Sequence, residues 1–160
     1  MLVIERFSCE NLTKNIVTDA AHPKFSFSLK SDKKGVELDK AILKIGEWSI
    51  TTKEQIGIEY SGPALKPFTK YKAELSAVDN LGEKADASLE FETGRLEEPW
   101  QGMWITDTEY VFKEKNISPV PMVFRKQLEI DKEIKSAKIY STAMGIYVMY
   151  INRNRVGEDY

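Results

Sequence analysis

Apolar side chains recur at every second position along much of the N-terminal part of the chain, and that period admits sheet rather than helix. Tyr71-Lys72-Ala73-Glu74-Leu75-Ser76-Ala77 places Tyr71, Ala73, Leu75 and Ala77 on one face. Phe25-Ser26-Phe27-Ser28-Leu29 alternates in the same way. Successive Cβ atoms of a strand point to opposite sides, so such a pattern buries one face and wets the other. Asp79-Asn80-Leu81-Gly82 supplies turn chemistry, and residues 87–93 return as a second strand, which predicts a hairpin. Ile42-Leu43-Lys44-Ile45 and Ile56-Gly57-Ile58-Glu59-Tyr60 are further strand candidates. Asp32-Lys33-Lys34-Gly35 and Ser61-Gly62-Pro63 connect them. Short strands between closely spaced turns, with no helical pattern, predict an all-β fold built on a β-sandwich.

Leu65-Lys66-Pro67-Phe68-Thr69-Lys70-Tyr71 adds a more specific expectation. A tyrosine opening a strand after a Pro/Thr turn can bond its hydroxyl to backbone a few residues upstream, the tyrosine corner. With the hairpin that follows, this resembles the end of a fibronectin type III domain.

After Gly94 the pattern changes. Arg95-Leu96-Glu97-Glu98-Pro99 is polar and Pro-terminated, which suits a linker or domain junction, and Trp100-Gln101-Gly102-Met103-Trp104-Ile105 follows it. Beyond lie three strand candidates at residues 122–130, 137–143 and 146–152, then Asn152-Arg153-Asn154-Arg155-Val156-Gly157 as a turn. The last strand candidate is apolar on both faces. The expected organisation is an immunoglobulin/fibronectin type III-like β-sandwich over residues 1–97, then residues 98–160 as a linker and the first strands of a truncated, jelly-roll-like β-domain.

Composition narrows the function classes. Twenty-three basic residues face 25 acidic ones, and the basic residues are scattered, so no nucleic-acid footprint is expected. The longest strongly apolar run, residues 146–151, is far shorter than the roughly 20 residues of a membrane helix, so no membrane partner is expected. No secretory signal opens the chain, and Cys9 is the only cysteine, which points to a reducing, cytoplasmic setting without disulfides.

The segments, taken in order, resemble the N-terminal region of bacterial alpha-L-rhamnosidases. The likeness is carried by Ala21-His22-Pro23-Lys24-Phe25-Ser26-Phe27, Tyr60-Ser61-Gly62-Pro63-Ala64-Leu65, Val78-Asp79-Asn80-Leu81-Gly82 and Phe91-Glu92-Thr93-Gly94. It continues through the tryptophan-rich segment 100–105, Phe124-Arg125-Lys126-Gln127-Leu128-Glu129-Ile130, Ser136-Ala137-Lys138-Ile139-Tyr140 and residues 152–157. Arg153 stands where the family usually has Gly after Asn. The resemblance implies a parent enzyme that hydrolyses terminal alpha-L-rhamnose with inversion, using carboxylates far downstream in an (α/α) barrel. An inverting pair must stand about 6.5–9.5 Å apart across a sugar cleft. No catalytic residue is therefore carried onto this chain, and the role implied is architectural support, with the downstream domains as partners.

Other residues admit a functional and a plainer role. Glu97/Glu98, Asp107/Glu109 and Glu158/Asp159 are acid pairs, better explained as solvated charge. His22 has no second histidine or cysteine to build a metal site, and no cofactor is expected. Cys9 reads as an inert, partly buried thiol. Trp100 and Trp104 could stack on sugar rings, making the chain a carbohydrate-binding module for rhamnosylated saccharides, or could wedge two domains together, which is favoured. On a regular strand the two would share a face. Tyr147 and Tyr150 would fall on opposite faces, leaving at most one of them in a core, and Tyr140 is weighed the same way. Open β edges in an unfinished domain would allow a homo-oligomer.

Overall fold

The computed structural model describes residues 1–107 and 121–157. Among these residues it contains strands and no helix, so no helix is long and apolar enough to cross a membrane. The chain forms two compact units, Met1–Trp104 and Ile105–Tyr160.

The first unit is a two-sheet sandwich. One sheet joins β1 (Leu2–Cys9), β3 (Lys24–Ser31) and β6 (Ile58–Glu59) in the order β1-β3-β6. The other runs β2-β8-β7-β4-β5, from β2 (Ile16–Thr18), β8 (Lys84–Thr93), β7 (Lys70–Asp79), β4 (Leu38–Ile45) and β5 (Trp48–Thr52). The pairing is antiparallel except that β2 adds to β8 in parallel.

The alternation predicted for residues 71–77 is what the structure uses. Ala73, Leu75 and Ala77 are buried, Tyr71 is half-buried, and Lys72 and Glu74 face solvent. Directly opposite stand Ala41, Leu43 and Ile45 of β4, and Leu89 pairs with Ala73 from β8. The small alanines leave room that the second sheet fills with Phe7, Phe25 and Phe27. Phe25 meets Phe91 edge-on with ring centroids 5.5 Å apart, and Tyr71 stacks on Phe91 at 5.5 Å and 22°. Large rings against small side chains let the two inner faces interdigitate at interior density.

Three strands of this unit were not legible in the alternation. In β1 the register shifts between Ile4 and Arg6, so Leu2 and Ile4 turn toward the core before the bulge and Phe7 and Cys9 after it. The bulge moves the inward set from even to odd positions and erases a simple period. β5 lies at a sheet edge with a largely polar sequence, and β2 is three residues long. The candidate at residues 56–60 shortens to Ile58–Glu59, because Gly57 has φ 69° and breaks the extended run.

The turns behave as their residues dictate. Asp79 Oδ1 accepts from the N–H groups of Leu81 (2.9 Å) and Glu83 (2.8 Å), and Gly82 takes φ 81°. In Tyr60-Ser61-Gly62-Pro63, the Tyr60 hydroxyl donates to the Pro63 carbonyl at 2.8 Å while its ring meets Trp48 edge-on at 4.8 Å. Gly62 lies beneath both rings: a Cβ there would sit 2.6 Å from the Tyr60 ring and 2.7 Å from that of Trp48.

The second unit departs from the sequence expectation. Residues 122–130 and 137–143 are not strands, and the candidate at 146–152 contracts to β9 (Met149–Ile151). The stretch expected to be a turn holds β10 (Asn154–Val156), paired antiparallel with β9. Asn152 and Arg153 form the turn with φ of 50° and 70°, so Arg153 takes the left-handed conformation where glycine is cheapest. The first strands of a jelly roll are thus reduced, among the described residues, to this hairpin. A strand exists by pairing: Val123 (92% exposed), Leu128 and Ile146 alternate or cluster suitably but face solvent in this unit.

Candidate functional site

A cluster of polar contacts holds the chain where it leaves the sandwich, after β8. Thr93 is fully buried among backbone. Its hydroxyl donates to the Lys66 carbonyl at 2.6 Å and accepts from the Thr69 N–H at 2.9 Å, while its own N–H donates to the Thr69 carbonyl at 3.0 Å. Five residues below Tyr71, the Lys66 N–H donates to the Tyr71 hydroxyl at 2.8 Å. This is the tyrosine corner, and Thr93 locks the same loop from its other side.

Gly94 follows, buried between two loops. Its N–H donates to the Thr18 carbonyl at 2.8 Å and its carbonyl accepts from Phe68 at 2.9 Å. The Asp19 carboxylate lies against it: a Cβ on Gly94 would come within 2.5 Å of Asp19 Oδ1. That same oxygen accepts from the Leu96 N–H at 2.8 Å. Leu96, at φ 50°, turns its side chain onto the core.

Arg95 spans the next turn. Its guanidinium donates to the Glu98 carbonyl and lies 4.0 Å from the ring centroid of Trp100, while the Glu98 N–H donates to the Arg95 carbonyl at 2.9 Å. A guanidinium over an indole face is a favourable cation–π arrangement. Trp100 is 48% exposed and Trp104 64% exposed. Neither belongs to a strand, so the shared face that a regular strand would have given them does not arise.

Glu97, Glu98 and Asp107 lie at the surface; Glu109, Glu158 and Asp159 lie outside the described residues. His22 Nδ1 is 2.9 Å from the Tyr60 carbonyl, and buried Pro23 accepts from the Tyr60 N–H at 3.0 Å, so the His-Pro pair clamps β6 to β3. Among the described residues no three metal-ligating side chains converge. Cys9 is wholly buried rather than partly so, and burial, with a smaller contribution from Glu10, pushes its thiol up to about 12. Tyr140, Tyr147 and Tyr150 all face solvent; Tyr147 lies before β9, with its hydroxyl 2.9 Å from that of Ser141. The expectation that Tyr147 and Tyr150 divide across one strand therefore does not apply.

Sequence reasoning passed over Asp19 and the dual role of Arg95. The signal for Asp19 lies 75 residues away, in the glycine at position 94, and only a fold joins them.

Residues 4–97 match the family described as Rha78A-like, N-terminal immunoglobulin domain. An alpha-L-rhamnosidase from Formosa agariphila is 27% identical over 121 residues, covering 63% of this chain and 13% of that protein. Among solved structures, the alpha-L-rhamnosidase of Streptomyces avermitilis complexed with L-rhamnose superposes with TM-score 0.55 at 23% identity, covering 60% of this chain and 11% of that one. The alpha-L-rhamnosidase of Dictyoglumus thermophilum gives TM-score 0.60 at 24% identity, with coverages of 66% and 14%. The chain thus spans about an eighth of the length of the relatives it matches, and the superpositions speak to fold.

Proposed function

Because this chain belongs to the family of Rha78A-like N-terminal immunoglobulin domains, we propose that it acts as a non-catalytic bracket of an alpha-L-rhamnosidase-like glycoside hydrolase. The parent enzyme would remove terminal alpha-L-rhamnose, and this chain would support the catalytic domains that are its partners. The observation that carries this proposal is the exit junction. Hydrogen bonds at Thr93 and Asp19 and the reach of Arg95 to Glu98 and Trp100 hold the path of the chain as it leaves β8. A cytoplasmic setting belongs to the same proposal, supported by a lone buried thiol at Cys9.

The test has two arms. The isolated chain, assayed with p-nitrophenyl alpha-L-rhamnoside, is expected to match the buffer rate. Residues 1–104, exchanged for the matching domain of the Dictyoglumus thermophilum enzyme, are expected to keep that enzyme active and heat-stable where deletion of the domain does not. Turnover by the isolated chain, or a chimaera no better than the deletion, would overturn the proposal.

A second role rests on the exposure of Trp100 and Trp104. Flat indole faces stack on sugar rings, and each of these two would offer its own exposed indole to rhamnosylated saccharides. Tryptophan emission titrated with rhamnose and rhamnosyl oligosaccharides distinguishes it; an unchanged spectrum at millimolar sugar removes it.

A further inference from the structure

The polar, Pro-terminated stretch after β8 has the composition of a flexible tether, but its backbone is held at every second residue. The N–H groups of Gly94, Leu96 and Glu98 donate to Thr18, Asp19 and Arg95 respectively, at 2.8, 2.8 and 2.9 Å. Between them Leu96 packs a half-buried side chain against the core while holding a left-handed backbone, a conformation a leucine keeps only where its surroundings impose it. Arg95 then reaches forward to the Glu98 carbonyl and the Trp100 ring.

We propose that residues 94–100 form a rigid elbow, braced by Asp19 and clasped by Arg95, which sends the chain out of the sandwich in one fixed direction. Ordering a backbone costs about 1–2 kcal/mol per residue, so a tether stays loose unless contacts offset that cost. Here three hydrogen bonds from backbone amides, a half-buried leucine and a cation–π contact do so. Gly94 is part of the device. Without a side chain it lets the Asp19 carboxylate approach closely enough to receive the Leu96 N–H. Asp19 and Arg95 are thereby positioning residues. The elbow rests on the architectural role for its purpose, though its geometry stands apart from it.

Hydrogen exchange read by mass spectrometry on the whole 160-residue chain tests this. The amides of Leu96 and Glu98 are expected to exchange at least about tenfold more slowly than in an unfolded peptide. Asp19→Ala removes the acceptor and Gly94→Ala displaces it; either is expected to bring Leu96 close to the unprotected rate while β7 and β8 stay protected. Asp19→Asn, which keeps an acceptor oxygen, is expected to restore protection, and Arg95→Ala, which removes the guanidinium that holds the Glu98 carbonyl and covers Trp100, to release Glu98 alone. Should Asp19→Ala also expose β7 and β8, the asparagine variant and the wild-type rates carry the decision. Unprotected Leu96 and Glu98 amides in the wild type, or an Asp19→Ala chain as protected as the wild type, would overturn the elbow. A protected elbow in an inactive chimaera would sink the architectural role alone, and an active chimaera with an unprotected elbow would sink only the elbow.

Discussion

The phenol oxygen of Tyr71 lies 2.8 Å from the backbone nitrogen of Lys66, while the ring of the same tyrosine stacks on Phe91 of the neighbouring strand. One side chain thus joins the loop before β7 to the core beneath it. Tyr71→Phe keeps the stacking and removes the acceptor. The Lys66 amide is exposed enough to regain water, so the expected loss is about 1 kcal/mol in urea unfolding, with an unchanged m-value. A loss under about 0.3 kcal/mol would show that the corner contributes little to stability.

Gly62 tests the packing of Tyr60 against Trp48. A methyl group there meets both rings at under 3 Å, so the buried Tyr60 ring and the half-buried Trp48 ring would both have to shift. Gly62→Ala is expected to cost about 1–3 kcal/mol, the usual range for overpacking. Gly102→Ala, where the added Cβ meets nothing within 4 Å, serves as the control and should be near neutral. Equal stabilities would refute the close approach.

Cys9 links stability to alkaline pH. Burial raises its thiol from an ordinary 9.0 to about 12 in the folded chain, so the unfolded chain ionises first as pH rises. Its contribution is therefore complete below about pH 9 and is lost progressively between about 9 and 12. Cys9→Ala should show a shallower fall of stability over that window than the wild type. In the native chain a disulfide reagent at pH 8 should label Cys9 only as fast as the sandwich opens; prompt labelling would contradict its burial.

The second unit bears on assembly. Val123, Met144 and Ile146 are strongly exposed, and the β9–β10 hairpin is a two-stranded sheet among the described residues. Self-association through its edges is the expected outcome, read as a concentration-dependent sedimentation coefficient. Residues 1–104 alone should sediment as a monomer. A monomeric full chain across the micromolar range would remove edge-to-edge assembly.

Local chemistry made the centre of the five-stranded sheet readable. The strict alternation through Ala73, Leu75 and Ala77 fixes which face is buried, because the side-chain period of a strand is two whatever its partner. The Asp79–Gly82 turn was likewise readable, since Asp79 caps its own following amides. The corner at Tyr71 followed from a tyrosine placed just after a Pro/Thr loop. Each of these depends on residues within a few positions of one another.

Tertiary structure decided the rest. The bulge between Ile4 and Arg6 changes which positions of β1 face inward, and only pairing with β3 reveals it. Apolar residues at 122–130 and 137–143 have strand character but form no strand among the described residues, since a ladder needs a partner that composition cannot supply. The exit junction joins Asp19 to Gly94 and Leu96 across most of the sandwich's length, and Arg95 to a tryptophan that sequence alone left between two roles. Period and turn chemistry are properties of neighbours along the chain. The direction in which this chain leaves its sandwich depends on residues that only folding brings together.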